Sequence, residues 1–409
     1  MKSKGTRDVS PELIKELGKN VSFSPFVEFA RNNTELALCF RGNNSEIGKV
    51  VIYRHNHMIW ELSMLNGMPK VSVSMDHARF MPNWIEYAVK GLMDLGFCNP
   101  DSNNCFDMIE KENGFAVRHR SSQNEYTYSA INLSFFPLTS KKPIIDVVKE
   151  SYQILAKMQD VYFCTNEERF LELNTQSKKH RGERRPINYI KEYYFDTHSN
   201  ASKDDDNHNF YSNFQRCREK HVQQDLFLQN HVLENGIFVY DLEFSQPSGR
   251  AEVKSKNQPD MFGIRFGENG QPESICMIEV KSTKNAVQKK ESGLEEHLSG
   301  MIDYLDIKTK DGYLMDDRKE EARKILNHYH DLRLYGVKRA YSEEEFKKIK
   351  KEEIIFVFSD EVRDINAYLH RGIKIRDYLI GKGFKLSDAV CPGLTSGDIT
   401  VYSRQFDAK

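Results

Sequence analysis

The chain has almost no net charge, no paired-cysteine motif and no long apolar run, and each absence removes a class of protein. Its 59 lysines and arginines are balanced by 60 aspartates and glutamates, a formal charge of -1 over 409 residues. The total therefore gives no sign of a polyanion binder, although local patches rather than the sum attract phosphate. The seven cysteines (Cys39, Cys98, Cys105, Cys164, Cys217, Cys276 and Cys391) are scattered and odd in number, with no Cys-x-x-Cys pair. Neither a zinc ribbon nor a disulfide framework is expected, and the expected setting is the reducing cytoplasm. Runs such as Ile354–Phe358 fall far short of the roughly 20 apolar residues of a membrane helix, so no membrane partner is expected. The opening segment, MKSKGTRDVSPELIKELGKN, lacks the apolar core of a secretory signal. No P-loop, Gly-x-Ser-x-Gly or dinucleotide fingerprint occurs, and no internal repeat is visible.

What is present is enough apolar and aromatic residue to bury a core, in a length that allows two domains. Residues 1–140 read mostly as strands, at Glu35–Arg41, Val50–Leu62, Lys70–Met75 and Ser129–Pro137, broken by Gly-Asn, Asn-Gly and Pro. One helix, Asn83–Leu95, interrupts them, and the segment is expected to be an α+β module for recognition, assembly or sensing. Its Arg41, Arg54, His55, His57, His77 and Arg79 read as surface groups before they read as a nucleotide site. Residues 141–208 are expected to be a connector. A helix at Pro143–Gln159 leads into polar loops, one carrying Lys178, Lys179, Arg181, Arg184 and Arg185. That basic loop suits a phosphate backbone and suits a solvated surface equally well.

From Asn209 the pattern takes on an order. A helix (Phe210–Leu233) is followed by strands at Ile237–Phe244, Pro259–Phe266 and Ile275–Val280. Then come a helix (Lys289–Leu305), a charged helical insertion (Asp317–Tyr335) and a strongly apolar strand at Ile354–Phe358. A helix over 362–380 and a strand at Asp398–Tyr402 complete the expected domain, 209–409.

Within this order, SICMIEVKST places Glu279 and Lys281 two apart on a strand, so period two puts both on one face with Val280 on the other. Asp260 stands where the preceding strand begins. If the two strands form a hairpin through the Gly-, Asn- and Pro-rich 267–274, Asp260 comes opposite Glu279. Two carboxylates suit a hard cation such as magnesium, and a neighbouring ammonium suits a water or a phosphate. A second Glu-Val-Lys, at Glu252–Lys254, lacks an apolar strand leading into it and is set aside.

Pro259-Asp260 and Glu279-Val280-Lys281, inside a helix–strand–strand–strand–helix–strand frame over residues 209–360, resemble the PD-(D/E)XK nuclease superfamily. The resemblance implies a restriction-endonuclease-like α/β core, a mixed sheet with helices on both faces, beside the separate N-terminal α+β domain. It implies magnesium, or manganese in its place, held by Asp260 and Glu279, with Lys281 positioning water. It also implies an acid from the first helix, for which Glu219 is the leading candidate over Asp225 and Glu243. The substrate it implies is DNA, double-stranded first, cut by a homo-oligomer. By analogy the role is in bacterial defence against phage, with a partner protein of such a system. His297 and Tyr304, near the apolar face of the second helix, read as core residues before they read as site residues. The alternatives from other classes are an inactive nucleic-acid-binding scaffold and a nuclease gated by a nucleotide on the N-terminal domain.

Overall fold

A computed structural model describes residues 9–41, 48–74, 82–97, 106–111, 114–119, 125–126, 132–162, 212–242, 258–288, 293–309, 312–359, 362–363, 368–369, 372–386 and 399–409. Along the chain these form α1 (Pro11–Leu17), α2 (Ser24–Arg31), β1 (Leu36–Arg41), β2 (Lys49–Arg54), β3 (His57–Leu65), β4 (Met68–Ser74), α3 (Pro82–Asp94), β5 (Phe106–Lys111), β6 (Gly114–His119), β7 (Glu125–Tyr126), β8 (Asn132–Phe135) and α4 (Ile144–Tyr162). There follow α5 (Ser212–Gln229), β9 (Gly236–Leu242), β10 (Met261–Phe266), β11 (Pro272–Lys281), α6 (Lys284–Gln288), α7 (Leu294–Leu305), β12 (Lys308–Thr309), β13 (Gly312–Tyr313), α8 (Leu314–Asp331), α9 (Glu343–Lys347), β14 (Lys351–Ser359), α10 (Ile375–Gly381), β15 (Lys385–Leu386) and β16 (Ile399–Asp407). The class is mixed α and β with mixed sheets. No helix among the described residues is long and apolar enough to cross a membrane.

The chain divides into two compact units, one of residues 1–18, 30–56 and 218–409, the other of 19–29 and 57–217. Strands β1 and β2, which the sequence groups with the N-terminal module, thus pack with the C-terminal residues. Backbone satisfaction explains why. The Tyr335 hydroxyl accepts from Leu38 N (2.7 Å) and donates to Leu38 O (3.1 Å), and the Tyr329 hydroxyl also donates to Leu38 O (3.1 Å). The Arg41 guanidinium meets the buried Asp241 carboxylate of β9 at 2.5 Å. These contacts satisfy backbone groups and a charge that an edge strand would otherwise leave open.

In the other unit, β4 pairs with both β3 and β8 in antiparallel register. Trp60 is fully buried, its indole N–H donating to Ser151 Oγ on α4 at 3.1 Å, with the Phe26 and Phe29 rings edge-on to it. A buried Trp keeps this apolar contact without cost because its one donor is satisfied.

The first unit holds a six-stranded sheet in the order β15-β16-β14-β11-β10-β9. Strands β9, β10 and β11 form an antiparallel meander, β11 and β14 run parallel, and β16 returns antiparallel to β14. From Ser274 to Lys281 every residue of β11 is buried, as a central strand covered on both faces requires. Gly263 sits where β10 slips register against β9; a Cβ there would meet Phe238 O at 3.2 Å and Ile237 Cγ2 at 3.1 Å. A larger residue would force these neighbours to give by a few tenths of an ångström.

Several expected boundaries change. The run 50–62 breaks into β2 and β3 at His55 and Asn56, which turn with φ of 53° and 56°. The helix expected over 289–305 starts at Leu294, after Gly293, with the short α6 before it. Within the expected helix over 362–380, Tyr368 instead bridges to Lys374 and, among the described residues, α10 is the α-helical part, with Gly372, at φ 72°, turning the chain before it. The last strand runs on to Asp407. Helices α1 and α2 lay hidden in the polar start, although Ser10 caps α1 by accepting from Leu13 N and Pro11 opens it. The charged insertion is largely interior: Arg318 and Glu321, one helical turn apart on α8, pair at 2.7 Å with both side chains wholly buried.

At the start of β14, burial raises the Glu352 carboxyl from the ordinary 4.5 to about 7, against the pull of Lys319, whose Nζ lies 4.0 Å away. A carboxyl raised on folding holds its proton better in the folded chain. Its stabilising contribution is whole below pH 4.5 and is lost as pH rises to about 7. Glu352→Gln is therefore expected to flatten the fall of melting temperature across that window. An unchanged slope in a pH series of thermal melts would count against it.

Candidate functional site

The β10–β11 hairpin brings the expected groups together. Its register pairs Met261 with Ile278 and Phe262 with Met277, so Asp260 comes one step before β10, opposite Glu279. Asp260 Oδ2 accepts the Val280 N–H at 2.8 Å, which holds its carboxylate against the end of β11. Glu279 and Lys281 share a strand face, and Lys281 Nζ lies 2.5 Å from Glu279 Oε1. Both are buried, Glu279 completely.

Helix α7 adds a group that the sequence underweighted. His297 Nδ1 lies 2.7 Å from the same Glu279 Oε1 and stays partly open to solvent. Its position three residues before the apolar Gly300–Met301 turn made a core histidine the ready expectation. The structure instead turns it onto the strand end, while Tyr304, one turn further on than Met301, is buried against Phe262.

Glu219 also stands beside this cluster. Glu219 on α5 accepts the Ser282 backbone N–H and feels the charges of Lys281, Glu279 and His297. Asp225 is exposed on the same helix, and Glu243 lies outside the described residues. So do Lys178, Lys179, Arg181, Arg184 and Arg185 of the basic loop, and Glu252–Lys254.

The electrostatics divide these acids into two kinds. Burial opposes ionisation of Glu279, but Lys281 and His297 outweigh it and hold the carboxyl below its ordinary value. Burial raises Asp260 well above its own, and the Glu279 charge pushes it the same way. Glu219 is likewise raised, by burial first, with Lys281 pulling it back and Glu279 pushing it up. Burial opposes the Lys281 ammonium too, yet Glu279, Asp260 and Glu219 together lift it above its ordinary value. Three acids thus share one ammonium and one imidazole, and burial first, then the Glu279 charge, keeps Asp260 and Glu219 from ionising as readily as in water.

A divalent cation would favour the ionised form of all three carboxyls. Glu279 Oε2 is buried and has no hydrogen-bond partner, an orphan acceptor of the kind that a cation satisfies. Among the described residues no three His, Cys, Asp or Glu side chains already stand at metal-ligand spacing. The donor set nonetheless fits a hard ion: carboxylate oxygens from Asp260 and Glu279, with Glu279 Oε2 lacking a hydrogen-bond partner. No family model matches the chain, and comparison with the curated proteins and with the solved structures likewise finds no match.

Proposed function

We propose that this protein is a magnesium-dependent nuclease whose site comprises Asp260, Glu279, Lys281 and Glu219. The observation that carries it is the convergence of two carboxylates and a buried ammonium at one end of the β10–β11 hairpin, with Glu279 Oε2 lacking a hydrogen-bond partner. The element order α5, β9, β10, β11, α7, β14 supports a restriction-endonuclease-like core around it.

Asp260 and Glu279 would hold the ion, which when bound supplies Lewis-acid polarisation of a phosphate oxygen and lowers the pKa of water. The chain's own groups do the rest. Lys281, kept charged by its three carboxylate neighbours, donates to the attacking water or to a non-bridging phosphate oxygen. Glu219 adds a carboxylate within reach of Lys281, and raised above its ordinary value it is suited to exchanging a proton with water. His297 fixes the Glu279 carboxylate from the α7 side.

Duplex DNA is the proposed substrate, cut by a homo-oligomer in defence against phage with a partner protein of that system. A panel of plasmid, linear duplex, single-stranded DNA and RNA, each with Mg2+ or with EDTA, tests the assignment beside Lys281→Ala. Metal-dependent cleavage of DNA by the wild type, at least on the order of a hundredfold slower in Lys281→Ala, is expected. Cleavage that survives EDTA, or equal rates in both proteins, would remove it.

A further inference from the structure

Glu219 is held in the site from a distance. Of the described side chains on α5, the buried apolar ones are Val222, Leu226 and Phe227, all beyond Glu219. These apolar side chains anchor the part of the helix that follows Glu219.

Amides hold that part as well. Gln223 lies four residues after Glu219, on the same helix face. Its Oε1 accepts Asn56 Nδ2 at 2.7 Å, and the neighbouring Gln224 Oε1 accepts the Asn56 backbone N–H at 2.5 Å. Gln224 Nε2 then donates to Glu35 O at 2.7 Å, tying the helix to both strands at the open end of the β1–β2 hairpin. Asn56 and both glutamines are buried. The His55 ring, one residue earlier in the turn, stacks on His221 with centroids 4.7 Å apart. Hydrogen bonds are directional where apolar contact is not, so this set fixes the rotation of α5 about its axis. Asparagine suits the position twice over: it tolerates the left-handed φ of 56° and offers a side-chain donor from there.

We infer that Asn56 and Gln223 are positioning residues, acting through α5 to aim the Glu219 carboxylate at the Asp260–Glu279–Lys281 cluster. This rests on the metal-dependent reading of that cluster and adds to it a control point in the β2–β3 turn. Asn56→Gly keeps the left-handed turn and the backbone bond and deletes the side-chain donor alone. Gln223→Met keeps the stem and deletes the acceptor, and serves should the first variant fold poorly.

Mn2+ affinity, read from the free-ion EPR signal, tests it in the wild type, Glu279→Gln, Glu219→Gln, each clamp variant, and each clamp variant combined with Glu219→Gln. Weakening on the order of tenfold is expected for each clamp variant and for Glu219→Gln, with no further loss in the combinations. Wild-type affinity in both clamp variants, or losses that add in the Glu219→Gln background, would overturn the positioning role. Unchanged affinity in Glu279→Gln would instead overturn the metal site itself, and the inference with it.

Discussion

Glu279→Gln is expected to abolish cleavage while the chain stays folded. The side chain is wholly buried and meets two neighbours, Lys281 and His297, at Oε1, while its buried Oε2 has no hydrogen-bond partner. Glutamine keeps its volume, so the cavity term of a truncation does not arise. What changes is charge. A neutral amide gives a cation far less than a carboxylate, and Lewis-acid stabilisation of phosphoryl transfer is a matter of several kcal/mol. At about 1.4 kcal/mol per tenfold, the loss in kcat is expected to be a thousandfold or more. A second, independent consequence follows from the Asp260 carboxyl, which burial raises and the Glu279 charge raises further. With that charge gone, Asp260 should ionise at lower pH than in the wild type, read from its carboxyl carbon shift in an NMR titration of the metal-free protein. Retained turnover in Glu279→Gln would end the hydrolase proposal, and an unmoved Asp260 would show that the two carboxyls are not coupled.

The largest effect on stability is expected on the opposite face of the same sheet. Arg265 of β10 donates from Nε and Nη2 to the two oxygens of Glu353 on β14, both at 2.8 Å, with Ser274 Oγ at 3.4 Å from one of them. Glu353 is 1% exposed. Arg265→Ala takes the guanidinium from a carboxylate that has no access to water, and breaking a buried pair from one side costs about 3–5 kcal/mol. Replacing both partners with apolar residues of similar volume, as in Arg265→Met with Glu353→Leu, should recover most of that loss, since the desolvation cost leaves with the charges. Urea unfolding of the three proteins measures this, with a shifted midpoint and an unchanged slope expected for Arg265→Ala. By the strand period the pair lies across the sheet from Glu279, so the double variant should keep its cleavage rate. A single variant as stable as the wild type would show that the pair contributes little.

Much of the candidate site was readable because it is local. Glu279 and Lys281 are two residues apart, and a strand gives them one face whatever surrounds it. Asp260 is 20 residues from Val280, across one hairpin whose turn is spelled out by Gly267, Asn269 and Gly270. Strands at 354–358 and 275–280 announced themselves by β-branched and aromatic runs that only a doubly covered sheet can use. The break at His55 and Asn56 was not readable in the same way, because neither residue is glycine and the run of Val, Ile, Tyr and Trp continues past them. Helix α8 was legible as a helix but not as an interior one, since its Arg318 and Glu321 shield each other only once folded.

The sequence by itself determined the periodicities, and with them the hairpin, the shared face of Glu279 and Lys281 and the place of Asp260 at its end. Tertiary structure alone brought Glu219 of α5 beside them, turned His297 to Glu279 and set Asn56, 167 residues from Gln223, in hydrogen bond with it. The division follows from range: a strand or a tight turn is set by the residues within it, whereas a contact across so long a stretch of chain forms only when the burial of many other residues has met the entropy of bringing its ends together.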